Sequence, residues 1–290
     1  MRRHALTIDL ESWYHAENMR PVAPATEWPR LPSRLRQPAA ALLELLAERA
    51  TRATFFVLGD AAAREPELIR EIAAAGHEIA CHGWSHELIY RQTPAAFAEE
   101  THRAKALLED LSGRPVEGYR ASTFSITGRS LWALDLLAAE GFRYDSSIAP
   151  VRHDRYGIPG APRTPHWRTV DGGRRIAEFP ISFGRLLGLR LPVGGGFFRL
   201  LPLSWTQRAL GLYEGRGEPA GIYLHPWEFD PEQPRPAGLP ALRRFRHYVG
   251  LGSAMGKLRS LLERVPFTAM VDVLGDFLAG FEPRRSEAKA

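Results

Sequence analysis

The chain has 290 residues, 44% of them apolar and 24% charged, which is long enough to bury a full core and ordinary for a globular protein. Its single cysteine, Cys81, excludes an internal disulfide framework. A formal net charge of +5 favours anionic partners, but the arginines are spread along the chain and no nucleic-acid-binding module is recognisable, so nucleic acid is not an expected partner.

Residues 4–9 form a short apolar strand behind two N-terminal arginines. Asp9 interrupts the apolar run before it reaches the roughly 7–15 residues of a secretory signal. No window approaches the roughly 18–20 apolar residues of a membrane span, so a cytoplasmic protein is expected. A polar loop rich in proline covers residues 11–38, and AAALLELLAERA (39–50) has the helix formers and apolar spacing of a helix with one buried face. ATFFVL (53–58) is a strand ended by Gly59. Pro66 opens a helix that Gly76 stops, residues 78–81 are a strand, and Thr93-Pro94 opens a long helix to about Leu111.

Residues 118–121 are extended, 129–140 helical up to Gly141, and 144–148 extended again. This alternation predicts parallel strands with helical crossovers. Residues 150–175, rich in Pro, Gly and Arg, read as a long loop. Residues 176–181 and 221–224 read as strands, and 194–198 as a flexible glycine turn beside aromatics. Helices are expected near 241–249 and 253–263, then a mixed segment at 267–277. The division expected is a barrel over 1–235, a C-terminal extension over 236–281 packed on it, and a disordered tail over 282–290.

Five features fall at the ends of these strands. His82 and His86, spaced i, i+4 after a strand, would face one side of a helical turn, close enough to share a divalent metal. Asp9 and Glu11 point the same way from the end of the first strand. One of them could ligate the metal while the other serves as a base, and the spacing alone does not assign the roles. His225, before Pro226 and Trp227, ends a late strand. Arg120 ends another and could orient a carboxylate through paired hydrogen bonds. Asp145 with Ser146 and Ser147 ends a fifth. In a parallel β/α fold these strand ends are where sites are built.

Taken in order, TIDLESWYH (7–15), ATFFVLG (53–59), GHEIACHGWSH (76–86), GYRASTFSI (118–126), GFRYDSSIAP (141–150), GGGFFRLLP (194–202) and IYLHPWEFDP (222–231) resemble the NodB-type polysaccharide deacetylases, the family-4 carbohydrate esterases. Within them, the set is similar to the branch linked to exosortase and PEP-CTERM exopolysaccharide loci, C-terminal extension included. The resemblance implies a distorted (β/α) barrel of about seven strands and a metal-dependent hydrolase that removes N-acetyl groups from amino sugars. The substrate it implies is an exopolysaccharide or its lipid-linked precursor. It implies metal binding by Glu11, His82 and His86, with zinc first among divalent ions, Asp9 as general base positioned by Arg120, and His225 as general acid.

Trp84, Ser122 and Trp227 would meet the substrate, and Trp13, Tyr14, Phe197 and Phe198 also lie beside the motifs. The apolar, arginine-bearing stretch 186–203 would suit peripheral contact with the inner membrane surface. The sequence departs from the family pattern in spacing its carboxylates D-x-E rather than D-D, in Ser12 where the branch has aspartate, and in Ser122 where proline usually stands. Two other readings stay open at this level: a same-fold C–N hydrolase for small amides or ureides, and a glycan-binding protein with an inert site. Oligomeric state is unknown.

Overall fold

The computed structural model describes residues 3–279. Eleven strands are found among them: β1 (His4–Leu10), β2 (Thr54–Val57), β3 (Glu78–Cys81), β4 (Gly118–Tyr119), β5 (Tyr144–Asp145), β6 (His166–Thr169), β7 (Arg175–Glu178), β8 (Phe183–Leu186), β9 (Leu189–Pro192), β10 (Gly221–Leu224) and β11 (Phe267–Thr268). Nine of these form one sheet in the order β10-β1-β2-β3-β4-β5-β7-β6, with β11 on β1, and β8 pairs with β9 separately. From β10 to β7 every neighbouring pair is parallel, which makes seven strands, and only β6 runs antiparallel at the edge. The sheet curls into the distorted barrel that the sequence predicts.

The strands at the centre are buried on both faces. All seven residues of β1 and all four of β2 are buried, as crossover helices on the outside require of a parallel sheet. The helix Pro66–Ala74 turns Leu68, Ile69, Ile72 and Ala73 inward, a spacing that holds one stripe against the sheet. The helix Pro94–Ser112 begins where Thr93 Oγ1 accepts from the Ala96 N–H at 3.2 Å and ends at Gly113, whose φ of 64° suits glycine. Because all the parallel strands point the same way, their carboxyl ends open on one face.

The elements differ from expectation where local signals are weak. Gly59 does not simply end β2; it starts a short helix, Gly59–Arg64. The expected loop 150–175 contains β6, which pairs antiparallel with β7 although HWRT is only partly buried and lacks clear alternation. The glycine turn at 194–198 is instead a helix, Gly195–Leu200, despite the poor helix propensity of its two leading glycines. The close approach there needs glycine: a Cβ on Gly194, at φ 144°, would lie 2.3 Å from the Tyr223 carbonyl oxygen. A second helix, Leu203–Glu214, follows.

Within the C-terminal segment the expected helices form as Ala241–Tyr248 and Leu251–Leu262, and β11 joins the main sheet. The expected disordered tail at 282–290 lies outside the described residues. Among the described residues no helix is long and apolar enough to cross a membrane.

Gly118 in β4 faces the ring of Tyr144 in β5, and a Cβ there would sit 2.1 Å from Tyr144 Cζ. That ring is fully buried and its hydroxyl donates to Glu78 Oε1 at 2.7 Å, so it has little room to retreat. Gly118→Ala should therefore cost about 1–3 kcal/mol, the scale of overpacking a core. Urea unfolding measures it, and an unchanged midpoint would show that the ring can move aside.

Candidate active site

The site assembles at the carboxyl ends of four parallel strands. β1 presents Asp9, and a tight turn in which the Glu11 N–H donates to the Asp9 carbonyl at 3.0 Å brings Glu11 beside it. β3 delivers His82, whose N–H donates to the Val57 carbonyl at 2.9 Å, so the residue is still anchored to β2. The two histidines do not share a helical turn as expected. Residues 82–88 are irregular, with φ of 77° at Gly83 and 53° at His86, and this left-handed turn swings the second imidazole back over the first. The ring centroids end 5.4 Å apart.

One ligand atom each from Glu11, His82 and His86 lies within 4.8 Å of the others, and all three residues are buried. Asp9 does not join this group. The three side chains suit a divalent ion on chemical grounds. His82 Nδ1 lies 2.8 Å from the Arg120 carbonyl, which can only accept, so Nδ1 carries the proton and Nε2 keeps its lone pair for a metal. Burial lowers the His82 imidazole to about 4, so it is neutral at pH 7. Burial alone would raise the Glu11 carboxyl, but His86 above all, with His225 and His82, holds it well below the usual carboxylate range.

Glu11 Oε1 accepts from Trp227 Nε1 at 3.1 Å. Oε2 lies 2.7 Å from His86 Nε2 but outside hydrogen-bond alignment, and it is a buried oxygen with no hydrogen-bond partner. Two imidazole nitrogens and an orphaned carboxylate oxygen around one point form a donor set typical of zinc, and three protein ligands leave a position open.

Asp9 belongs to a second system. Arg120, 2% exposed, donates from Nη1 to Asp9 Oδ1 at 2.7 Å and to Thr7 Oγ1 at 2.8 Å. Its Nε and Nη2 are held by the Ser146 carbonyl and hydroxyl at 3.2 and 3.1 Å, and the guanidinium lies 4.0 Å from the centre of the Phe56 ring. Behind it, Asp145 accepts from Ser147 Oγ at 2.6 Å. Burial pushes the Asp145 carboxyl up, and burial plus the charge of Asp145 pushes Glu178 well above the carboxylate range. Burial thus favours the protonated form of both carboxyls behind the arginine.

His225 closes the site from β10. Its Nε2 is 3.8 Å from Asp9 Oδ2 and 3.9 Å from Glu11 Oε1. Its Nδ1 is 3.1 Å from Glu228 Oε2, and Glu228 Oε1 accepts from Arg199 Nε at 2.7 Å. Burial by itself would lower the His225 imidazole, but Glu228, then Glu11 and Asp9, raise it to about 9. Glu228 and Arg199 were not singled out in the sequence. A glutamate three residues after His225, in a turn opened by Pro226, was a usable signal: it also accepts from the His225 N–H at 3.0 Å. Arg199 comes from the helix Gly195–Leu200 and gave no local sign.

A cleft of about 520 Å³ opens over these groups. Trp227 lines it, stacked between His225 and His247 at centroid distances of 5.0 and 4.5 Å, and Phe124, Tyr156, Phe197 and Tyr223 add aromatic wall. Trp84 and Ser122 are not among the lining residues. Trp84 packs against Gly59 beneath the Arg103 guanidinium, and Ser122 is buried at the start of a 3-10 turn whose next two residues, Thr123 and Phe124, do line the cleft. Trp13 and Tyr14 lie in a cluster with Trp28, and Phe198 is in the main core.

Residues 32–141 match the family model described as "Polysaccharide deacetylase", and residues 146–275 match "Domain of unknown function (DUF3473)". A chitooligosaccharide deacetylase from Bradyrhizobium sp. (strain ANU 289) is 32% identical over 97 residues, 33% of this chain and 42% of its own length. A peptidoglycan deacetylase from Helicobacter pylori is 31% identical over 107 residues, 37% of this chain and 36% of its own length. The match thus spans about two fifths of each of these relatives. Among solved structures, a probable polysaccharide deacetylase from Pseudomonas aeruginosa PAO1 superposes with a TM-score of 0.63 at 18% identity, covering 97% of this chain and 92% of its own. Puue allantoinase superposes with a TM-score of 0.64 at 18% identity, covering 96% and 90%. These likenesses show the fold. The polysaccharide deacetylase model thus matches 110 of the 290 residues, within a fold that the whole described chain shares with those structures.

Proposed function

We propose that this protein is a metal-dependent hydrolase that removes N-acetyl groups from amino sugars of an exopolysaccharide or of its lipid-linked precursor. The observation that carries the reading is the convergence of Glu11, His82 and His86 within 4.8 Å, with Asp9 and His225 beside them. The expected assignment of Glu11 to the metal and Asp9 to the base follows the same geometry. Glu11 Oε2 lies 2.7 Å from His86 Nε2 within the three-residue group, whereas Asp9 lies outside it with Oδ1 bound to Arg120.

A divalent ion held there, zinc first, would supply Lewis acidity, easing deprotonation of water and drawing charge from an acyl oxygen. Asp9, fixed by Arg120, accepts the proton of the attacking water. The water oxygen bonds to the acetamide carbon, the C–N bond breaks, and His225 gives its proton to the departing nitrogen. The products are acetate and a free amine. A protonated imidazole suits this last step because an amide nitrogen leaves poorly without a proton. Glu228 and Arg199 orient His225 and hold its Nδ1 side, leaving Nε2 facing the carboxylates. Trp227 and the aromatic wall offer faces on which a sugar ring can stack. Acetate release from chitooligosaccharide, set against turnover of a small cyclic ureide, tests the substrate class.

Removing ligands separates the roles. His82→Ala and Glu11→Gln should lose the metal, read by elemental analysis of the purified protein, along with acetate release. Asp9→Asn should keep the metal and lose the rate, and the reverse pattern would exchange the two carboxylates. His225→Ala should retain the metal and lose at least about a hundredfold in kcat, the usual contribution of general acid catalysis. Wild-type turnover in that variant would take His225 out of the reaction.

A pH profile tests Glu228. A general acid works only while protonated, so activity should fall as pH rises through the raised His225 value of about 9. Glu228→Gln removes the charge that is the leading cause of raising it and should move this alkaline limb to lower pH. A limb that stays in place would mean that another group sets it.

A further inference from the structure

A second, smaller cavity of about 100 Å³ lies next to the cleft. Its charged lining is Arg163, Arg185, Arg190 and Arg216, with Phe183 and Tyr213 as walls, and Arg190 lines the cleft as well. Among the described residues no carboxylate lies within ion-pair distance of Arg163, Arg185 or Arg190, and Arg216 reaches Glu218 only at 3.9 Å. Arg190 donates to the Pro150 carbonyl at 3.0 Å, a neutral partner. Burial, then the charges of Arg163 and Arg185, lower the half-buried Arg190 guanidinium from its usual value, while Arg163, Arg185 and Arg216 are exposed at the cavity mouth. Other arginines pair closely with carboxylates, as in Arg36–Glu71 at 3.0 Å and Arg52–Asp272 at 2.7 Å; here four converge on one cavity without such a close partner.

We propose that this cavity is a phosphoryl subsite, continuous with the cleft through Arg190, that takes the phosphate or diphosphate of a substrate whose acetamido sugar reaches Glu11, His82 and His86. A hundred cubic ångströms is several times the roughly 10–15 Å³ that admits one water, so a tetrahedral oxyanion fits. Planar guanidiniums bind phosphate oxygens in pairs, and several of them call for more than the single charge of a carboxylate. The exposed Leu187 and Leu189 at the β8–β9 turn and Leu212 on the cavity rim would meet an apolar chain attached to that phosphoryl group. The substrate half of the proposal rests on the hydrolase reading above; the anion half does not.

Calorimetry with pyrophosphate on the full chain, wild type and Arg163→Ala/Arg185→Ala, tests the cavity without needing turnover. One site is expected, with acetate far weaker and the variant weakened at least about tenfold, the scale of one lost charge-assisted hydrogen bond. No binding, or equal binding by the variant, overturns the subsite. A second arm compares acetate release from a nucleotide-diphosphate N-acetylamino sugar and from neutral chitooligosaccharide. The variant should raise the KM of the diphosphate sugar about tenfold relative to the neutral one, and an unchanged ratio removes the substrate role. Should the variant instead lose only its binding to phosphatidylglycerol vesicles over phosphatidylcholine vesicles, the phosphoryl group belongs to a lipid headgroup and the substrate assignment falls. If the wild type releases acetate from neither sugar, the hydrolase reading fails while the pyrophosphate result still decides the cavity.

Discussion

Glu11 holds a carboxylate charge at the buried floor of the cleft, and the groups around it favour that charge. An isolated buried carboxylate costs several kcal/mol and ordinarily escapes by taking up a proton. Here the Trp227 N–H meets one oxygen, while His82, His86 and His225 crowd the side chain with groups that favour its ionised form. Those contacts still leave Oε2 without a hydrogen bond. That oxygen lies 2.7 Å from His86 Nε2, in the group that the proposed ion would occupy. The irregular turn at Gly83 and His86 follows from the same need, since it delivers the second imidazole to that oxygen.

Around this centre the chain places two charge relays of opposite bias. Asp9 is tied to Arg120, and behind Arg120 lie Asp145 and Glu178, whose carboxyls burial pushes up. His225 is tied to Glu228, and Glu228 to Arg199, which also donates to the carbonyls of His247 and Val249. The first relay fixes Asp9 in place, and the second raises the His225 imidazole through Glu228. The helix Gly195–Leu200 matters for this reason, because it carries Arg199 to the far side of Glu228.

The parallel core was legible because its signals are local. TFFV and EIAC are β-branched or apolar runs between clear breakers, and Pro66, Gly76 and Thr93-Pro94 mark helix ends by backbone chemistry alone. The convergence of strand ends was legible too, since parallel strands in a β/α rhythm all deliver their last residues to one face. What remained hidden depends on contacts distant in sequence. Arg199 and Glu228 are 29 positions apart and join only after two elements pack. β6 is an edge strand whose partner, not its pattern, makes it a strand. Gly195–Leu200 is helical because Gly194 lets the backbone close on Tyr223, against the propensity of its own glycines. The i, i+4 spacing of His82 and His86 pointed to shared function but to the wrong backbone, since a left-handed turn also brings such a pair together.

The central claim is that Glu11, His82 and His86 hold one ion. X-ray absorption at the zinc edge on the zinc-loaded full chain tests it most directly. The expected spectrum has two imidazole nitrogens at about 2.0–2.1 Å with oxygen completing the shell, and loses one oxygen scatterer on Glu11→Gln but not on Asp9→Asn. A shell without imidazole, or one that depends on Asp9 and ignores Glu11, would contradict it.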